Sequence, residues 1–127
     1  MHAVLDDSMT LAMVQKLFND LFPFLKIEFF EREIKNNGTV NTRKRINNTQ
    51  KTLSEYRHAS SLKSNRIILN PETSVSQLEK EFNSEYKLQT QVFRKSGNIW
   101  LETTVTDSWS LEEQNNQGQL ITDQLAK

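Results

Sequence analysis

Thr10-Leu-Ala-Met-Val-Gln-Lys-Leu-Phe-Asn-Asp-Leu-Phe22, followed by Leu25-Lys-Ile-Glu-Phe-Phe30, has a near copy further along the chain. The copy is Ser74-Val-Ser-Gln-Leu-Glu-Lys-Glu-Phe-Asn-Ser-Glu-Tyr86, followed by Leu88-Gln-Thr-Gln-Val-Phe93. Lys16 aligns with Lys80, Phe18 with Phe82 and Asn19 with Asn83. Leu25 and Phe30 align with Leu88 and Phe93 after a gap of one residue. Each copy reads as a capped helix, a short turn and a strand. Leu11, Val14, Leu17, Phe18 and Leu21 follow the 3.6-residue period of one helix face, as do Val75, Leu78, Phe82 and Tyr86. Ser74 with Gln77 forms a capping-box pattern, whereas Thr10 caps alone because Met13 cannot close a box. Pro23 ends the first helix, since its ring forbids a further turn.

Working outward, Lys26–Phe30 and Leu88–Arg94 read as strands. Ser96-Gly97 marks a tight turn into Asn98-Ile-Trp-Leu-Glu-Thr-Thr-Val105. A two-residue turn there sets Phe93 opposite Trp100 and Val92 opposite Leu101. Arg66–Leu69 and His2–Leu5 read as short strands placed alike before the two helices. The order is then βαβ followed by βαβ, with an extra strand and a C-terminal helix. Ser110-Leu-Glu-Glu113 opens that helix and Gly118 is expected to close it, leaving a polar tail over 119–127 that extends the helix or frays. This order predicts an α+β, ferredoxin-like (split βαβ) domain. The alternative is a mixed sheet with the third helix across its open face. A length of 127 residues suits one domain. Residues 35–64, poor in apolar side chains, read as a mobile polar insert in which Thr52-Leu-Ser-Glu55 caps one short helical turn.

Composition narrows the chemistry. The absence of cysteine removes disulfides, thiolate zinc sites and thiol nucleophiles. Met1–Asp7 has neither a basic start nor a long apolar run, which argues against a signal peptide. The apolar stretch Leu21–Phe30 is broken by Pro23, Lys26 and Glu28, too early for a membrane span. A cytoplasmic protein without a membrane partner is the resulting expectation. Leu88–Thr104 and Thr106-Asp-Ser-Trp-Ser-Leu-Glu-Glu-Gln-Asn115 resemble a segment of small uncharacterised proteins of Bacteroidetes-type bacteria. The resemblance covers about the last half of the chain and implies a bacterial cytoplasmic setting, with no site residues attached.

No catalytic motif emerges. His2 and His58 sit where nothing holds them rigidly, and three glycines are too few for a phosphate-cradling loop. Asp6-Asp7 and Glu112-Glu113 read as charges at helix starts. Neither a metal nor a cofactor is expected, nor an enzyme. Charge is more telling. Between Lys35 and Arg66 eight basic residues face one acid, Glu55, so this segment carries +7 and the rest of the neutral chain −7. Arg43, Lys44, Arg45, Lys51 and Arg57 are therefore candidate contacts to nucleic acid or another polyanion. The plainer account is a basic loop folded back on an acidic body. Phe93 and Trp100 share a hairpin face that is either a partner surface, with Arg94 and Lys95 beside it, or covered by the helix that carries Trp109 and Leu111. A non-catalytic module binding a protein partner or itself is the preferred expectation, and nucleic-acid binding the alternative.

Overall fold

Thr10 Oγ1 accepts the Met13 amide and Ser74 Oγ the Gln77 amide, each at 3.1 Å. Each hydroxyl satisfies one of the amides that a helix start leaves free, and so fixes where the helix begins. In this computed structural model, which describes residues 2–34, 40–57 and 66–126, α1 spans Leu11–Leu21 and α2 spans Val75–Tyr86. Their buried residues are those of the apolar stripes: Leu11, Val14 and Phe18 in α1, and Val75, Leu78, Phe82 and Tyr86 in α2. The capping box of α2 is only half made, because the Gln77 side chain turns to Glu81.

Strand β1 (Ala3–Val4) precedes α1, while β2 (Leu25–Ile34) and β3 (Val40–Arg45) follow it as a hairpin. Around α2 the same order recurs with β4 (Ile68–Leu69), β5 (Gln89–Ser96) and β6 (Ile99–Glu102). A 3₁₀ turn (Leu53–Tyr56) ends the first half, and helix α3 (Leu111–Leu125) the second. The chain is α+β, with antiparallel sheets ordered β3-β2-β5-β6 and β1-β4. The ferredoxin-like order is not the one formed. It needs the strands that precede the helices inside the main sheet, but β1 and β4 are two residues long and, among the described residues, pair only with each other. The hairpin partners β3 and β6 occupy the outer flanks of β2 and β5 instead.

The two halves are held by equivalent hydrogen bonds. Leu11 and Ala12 donate to the carbonyls of Lys51 and Thr49 at 3.0 and 2.9 Å, and Val75 and Ser76 donate to Trp109 and Asp107 at 3.1 and 2.8 Å. Leu53 donates to Met9 and Leu111 to Thr73, both at 2.9 Å. In each half the chain beyond the hairpin returns to close the free amides of its own helix start. The repeat also carries the central pairing onto itself: Ile27 faces Val92 and Phe29 faces Thr90, and the aligned copies exchange these pairs. The gap of one residue has a local cause. Lys87 turns the chain after α2 with φ 54°, while Pro23, locked near −65°, cannot, so Pro23 and Phe24 make the same turn in two residues.

Three further expectations change. The hairpin turn is Gly97-Asn98, not Ser96-Gly97: Ser96 pairs with Ile99, Lys95 with Trp100 and Phe93 with Glu102. Gly97, at φ 64°, takes the first turn position, which a residue with a Cβ rarely accepts. Helix α3 does not stop at Gly118 but continues to Leu125, so most of the expected tail is helical. Gly118 is there for contact, since a Cβ on it would lie 2.9 Å from Phe24 Cβ and 3.1 Å from Arg94 Cγ. Finally, β2 runs through to Ile34 and β3 spans Val40–Arg45, so Arg43, Lys44 and Arg45 lie on a strand rather than in a mobile insert. Thr52-Leu-Ser-Glu55 does start a helical turn, with the Thr52 amide donating to Glu55 at 2.7 Å. The stretches 35–39 and 58–64 of the expected insert, His58 included, lie outside the described residues.

Gly118→Ala tests the docking of α3. Ala favours a helix over Gly by about 1 kcal/mol, but overpacking costs roughly 1–3 kcal/mol. A net loss is expected, seen as a lower urea midpoint with an unchanged slope.

Candidate functional site

Alternation along the strands sorts side chains onto two faces. Leu25, Ile27, Phe29 and Val92 point into the core, where the Phe82 ring meets Phe29 edge-on at 5.3 Å. Lys26, Glu28, Phe30, Phe93, Lys95, Trp100 and Glu102 share the other face with Arg43 and Arg45 of β3. Among the described residues no helix packs there. Helix α3, expected to cover Trp100 with Trp109 and Leu111, lies on the core face. There Arg94 donates to Gln114 at 3.0 Å and rests 5.6 Å from the Trp109 ring.

The helix-free face interleaves cations with rings. Lys26 Nζ lies 5.2 Å from both the Phe93 and the Trp100 ring centres, and the Arg43 guanidinium 4.2 Å from that of Phe30. All three rings are half-buried, so each keeps an exposed part. Arg43 also reaches Glu102 at 3.6 Å, an ion pair too long for a hydrogen bond. Residues from both candidate sets, the aromatic pair and the basic segment, thus meet on one surface: Phe93, Lys95 and Trp100 with Arg43 and Arg45. Arg94 and Lys44 face the other way, and Lys51 lies 5.5 Å from the Tyr56 ring.

Arg57 is committed elsewhere. It donates to both Asp7 oxygens at 2.8 Å, to Glu85 at 3.2 Å and to the Tyr86 hydroxyl at 3.3 Å, while that hydroxyl donates to Asp7 at 2.6 Å. The Arg57 hydrogen bonds, helped by Tyr86 and opposed by burial, hold the Asp7 carboxyl below its usual range. Burial and then Asp7 push the Tyr86 hydroxyl up. Asp7, read from sequence as a helix-start charge, is instead half of a clip joining the first half to the end of α2. Asp6 turns its carboxylate to the Ser8 amide at 2.9 Å.

The sequence reading missed a third feature. Between α2 and the edge of β5 lies a cleft of about 400 Å³, lined by Glu79, Thr90, Asp107 and Arg43 among others. Thr90 is 7% exposed, and its Oγ1 is buried without a hydrogen-bond partner among the described residues. Burial, reinforced by the Asp107 charge, pushes the Glu79 carboxyl up to about 7, against the Val92 amide and Arg43. A carboxyl perturbed by burial in a cleft is a mark of functional sites. The signal in the sequence was the alignment of Glu79 with Gln15, an acid where the other copy has an amide.

The chain matches no family model, no curated protein and no solved structure. Among the described residues no group of His, Cys, Asp and Glu is arranged to hold a metal ion, and no helix is long and apolar enough to cross a membrane.

Two outcomes follow. Asp7→Asn should cost about 2 kcal/mol at neutral pH, the worth of hydrogen bonds to a charged group. Because folding lowers the Asp7 pKa, this contribution is present above the unfolded value near 3.8 and fades as acid protonates the folded carboxyl. Urea titrations of both proteins from pH 7 down to pH 2 should therefore converge. Glu79 acts with the opposite sign, since its folded pKa lies above its unfolded one. The wild type should lose stability as pH rises from about 4.5 through about 7. Glu79→Gln should flatten that slope and exceed the wild type at pH 8.

Proposed function

We propose that this protein is a non-catalytic binding module whose helix-free sheet face takes single-stranded nucleic acid. One observation carries the reading: Phe30, Phe93 and Trp100 lie on that face among Lys26, Arg43, Arg45 and Lys95. The exposed parts of these half-buried rings offer flat surfaces on which bases stack, and the cations lie where a phosphate backbone would pass. Two acids, Glu28 and Glu102, share the face, so its described side chains keep a cationic excess. A bacterial cytoplasmic setting, implied by the resemblance of the C-terminal half, fits such a role.

A second reading rests on a different surface. β6 is an edge strand, and Ile99 and Leu101 on it are 58% and 40% exposed. An unpaired edge flanked by apolar side chains favours strand addition by a protein partner or a second copy.

Titration of Trp fluorescence with mixed-sequence single-stranded DNA and RNA separates the two. On the first reading affinity falls with salt, with a log–log slope of about −3 for four phosphate contacts. Phe93→Ala and Trp100→Ala should each weaken binding by about 1–3 kcal/mol, the loss of one stacked base. Binding that ignores salt, or none at low salt, removes nucleic acid from consideration. A molar mass that doubles with concentration, and falls back with Leu101→Lys, would favour the edge strand.

A further inference from the structure

The two halves treat the same groove in opposite ways. In the first, Gln15 Nε2 donates to the Ile27 carbonyl at 3.1 Å, and Asn19 Nδ2 donates to the Leu25 carbonyl at 2.9 Å. Helix α1 thereby closes the edge of β2 that β3 leaves free, with amides from its own sequence. The repeat carries Gln15 onto Glu79, Asn19 onto Asn83 and Ile27 onto Thr90. An ionised carboxylate has no hydrogen to give a carbonyl, and Glu79 instead accepts from the Val92 amide. Where an amide and an isoleucine seal the first groove, the second holds an acid, a buried hydroxyl without a partner, and a cleft of about 400 Å³. That volume lies near the lower end of small-molecule sites, about 300–1,000 Å³.

Charge says what kind of molecule suits it. Glu79 and Asp107 line the cleft together with Lys80 and Arg43, two charges of each sign. Glu79 is half-buried, whereas Lys80 and Arg43 are exposed. An anion alone would meet Glu79 and Asp107, and a cation alone would meet Lys80 and Arg43. A molecule with both charges, its ammonium inward and its acid outward, satisfies all four. We propose that this cleft binds a small zwitterion of the amino-acid class, its ammonium held by Glu79 and Thr90 Oγ1 and its carboxylate by Lys80 and Arg43. The ammonium supplies the hydrogens that Gln15 supplies in the other half. It also compensates a carboxylate whose ionisation burial now opposes. The inference does not depend on nucleic-acid binding by the sheet face.

The test is a ¹⁵N amide NMR titration of the full chain at pH 8 with each standard amino acid, and with methylamine and acetate, at millimolar concentrations. At least one amino acid should give saturable shifts centred on Glu79, Thr90 and Val92. Methylamine and acetate should bind about tenfold more weakly or not at all, the loss of one charge-assisted contact. Thr90→Val, which removes a hydroxyl that has no partner among the described residues, should keep the spectrum dispersed and weaken binding about tenfold. Glu79→Gln gives the second half the amide of the first and should abolish binding. The proposal is overturned if no amino acid shifts these amides, if methylamine or acetate binds as tightly, or if Thr90→Val binds unchanged. Neither variant lies on the aromatic face, so both should still bind nucleic acid if the first reading holds, and the two ideas fail separately.

Discussion

The pairing of β2 with β5 is the constraint on which the rest of the structure depends. Leu25 to Phe30 run against Arg94 to Gln89 without interruption, and each strand follows directly on its own helix. Once they pair, α1 and α2 are brought over the same face, and Phe82 reaches Phe29 across the join. The smaller ladder obeys the same symmetry, because Ala3 meets Leu69 and Val4 meets Ile68. Neither half has a closed core of its own. Phe18, Ile27 and Phe29 come from one, Phe82, Tyr86 and Val92 from the other, and the cluster they form is continuous. Burial of the apolar stripes therefore requires the halves to associate, and the register of β2 against β5 sets how they do so.

Around this centre each half secures itself by a return of the chain. The backbone after each hairpin comes back to the helix start and donates or accepts at equivalent positions. The links between halves are less alike. Arg57 of the first half grips the end of α2 through Asp7, Glu85 and Tyr86, whereas Asn115, at the matching place in the second, accepts the Phe24 amide beyond α1 at 2.8 Å. A charged clip on one side and a neutral hydrogen bond on the other do the same mechanical work. Only the first carries a pH dependence.

Local signals were legible in the sequence and long-range ones were not. The apolar stripes and the hydroxyl caps located both helices, because helix periodicity and capping act within a few residues. The hairpin was legible, but its register slipped by one, since the glycine occupies the first turn position rather than the second. β3 went unread because Val40 is its only apolar residue, a composition that an edge strand tolerates and that otherwise marks a loop. The strand order lay beyond reach. Two-residue strands such as β1 and β4 carry no pattern of their own, and their place is set by partners more than sixty residues away. For the candidate surfaces, alternation placed Phe93 with Trp100, but nothing local said that Arg43 would cross from β3 to the same face.

The cleft beside Glu79 was legible only by comparing the copies with each other. A repeat gives every residue an internal control: where both copies have the same need, the same chemistry recurs, as with Thr10 and Ser74 or Asp6 and Asn70. Where the residues differ, so does the bond each makes: Gln15 donates to the Ile27 carbonyl, whereas Glu79 accepts from the Val92 amide. Gln15 meets the demand of the β2 edge, and an equally helix-compatible glutamine was open to position 79. Glutamate there raises the free energy of the folded state at neutral pH, since burial opposes its charge. That cost is the one the proposed zwitterion would offset, because its ammonium would neutralise the half-buried charge.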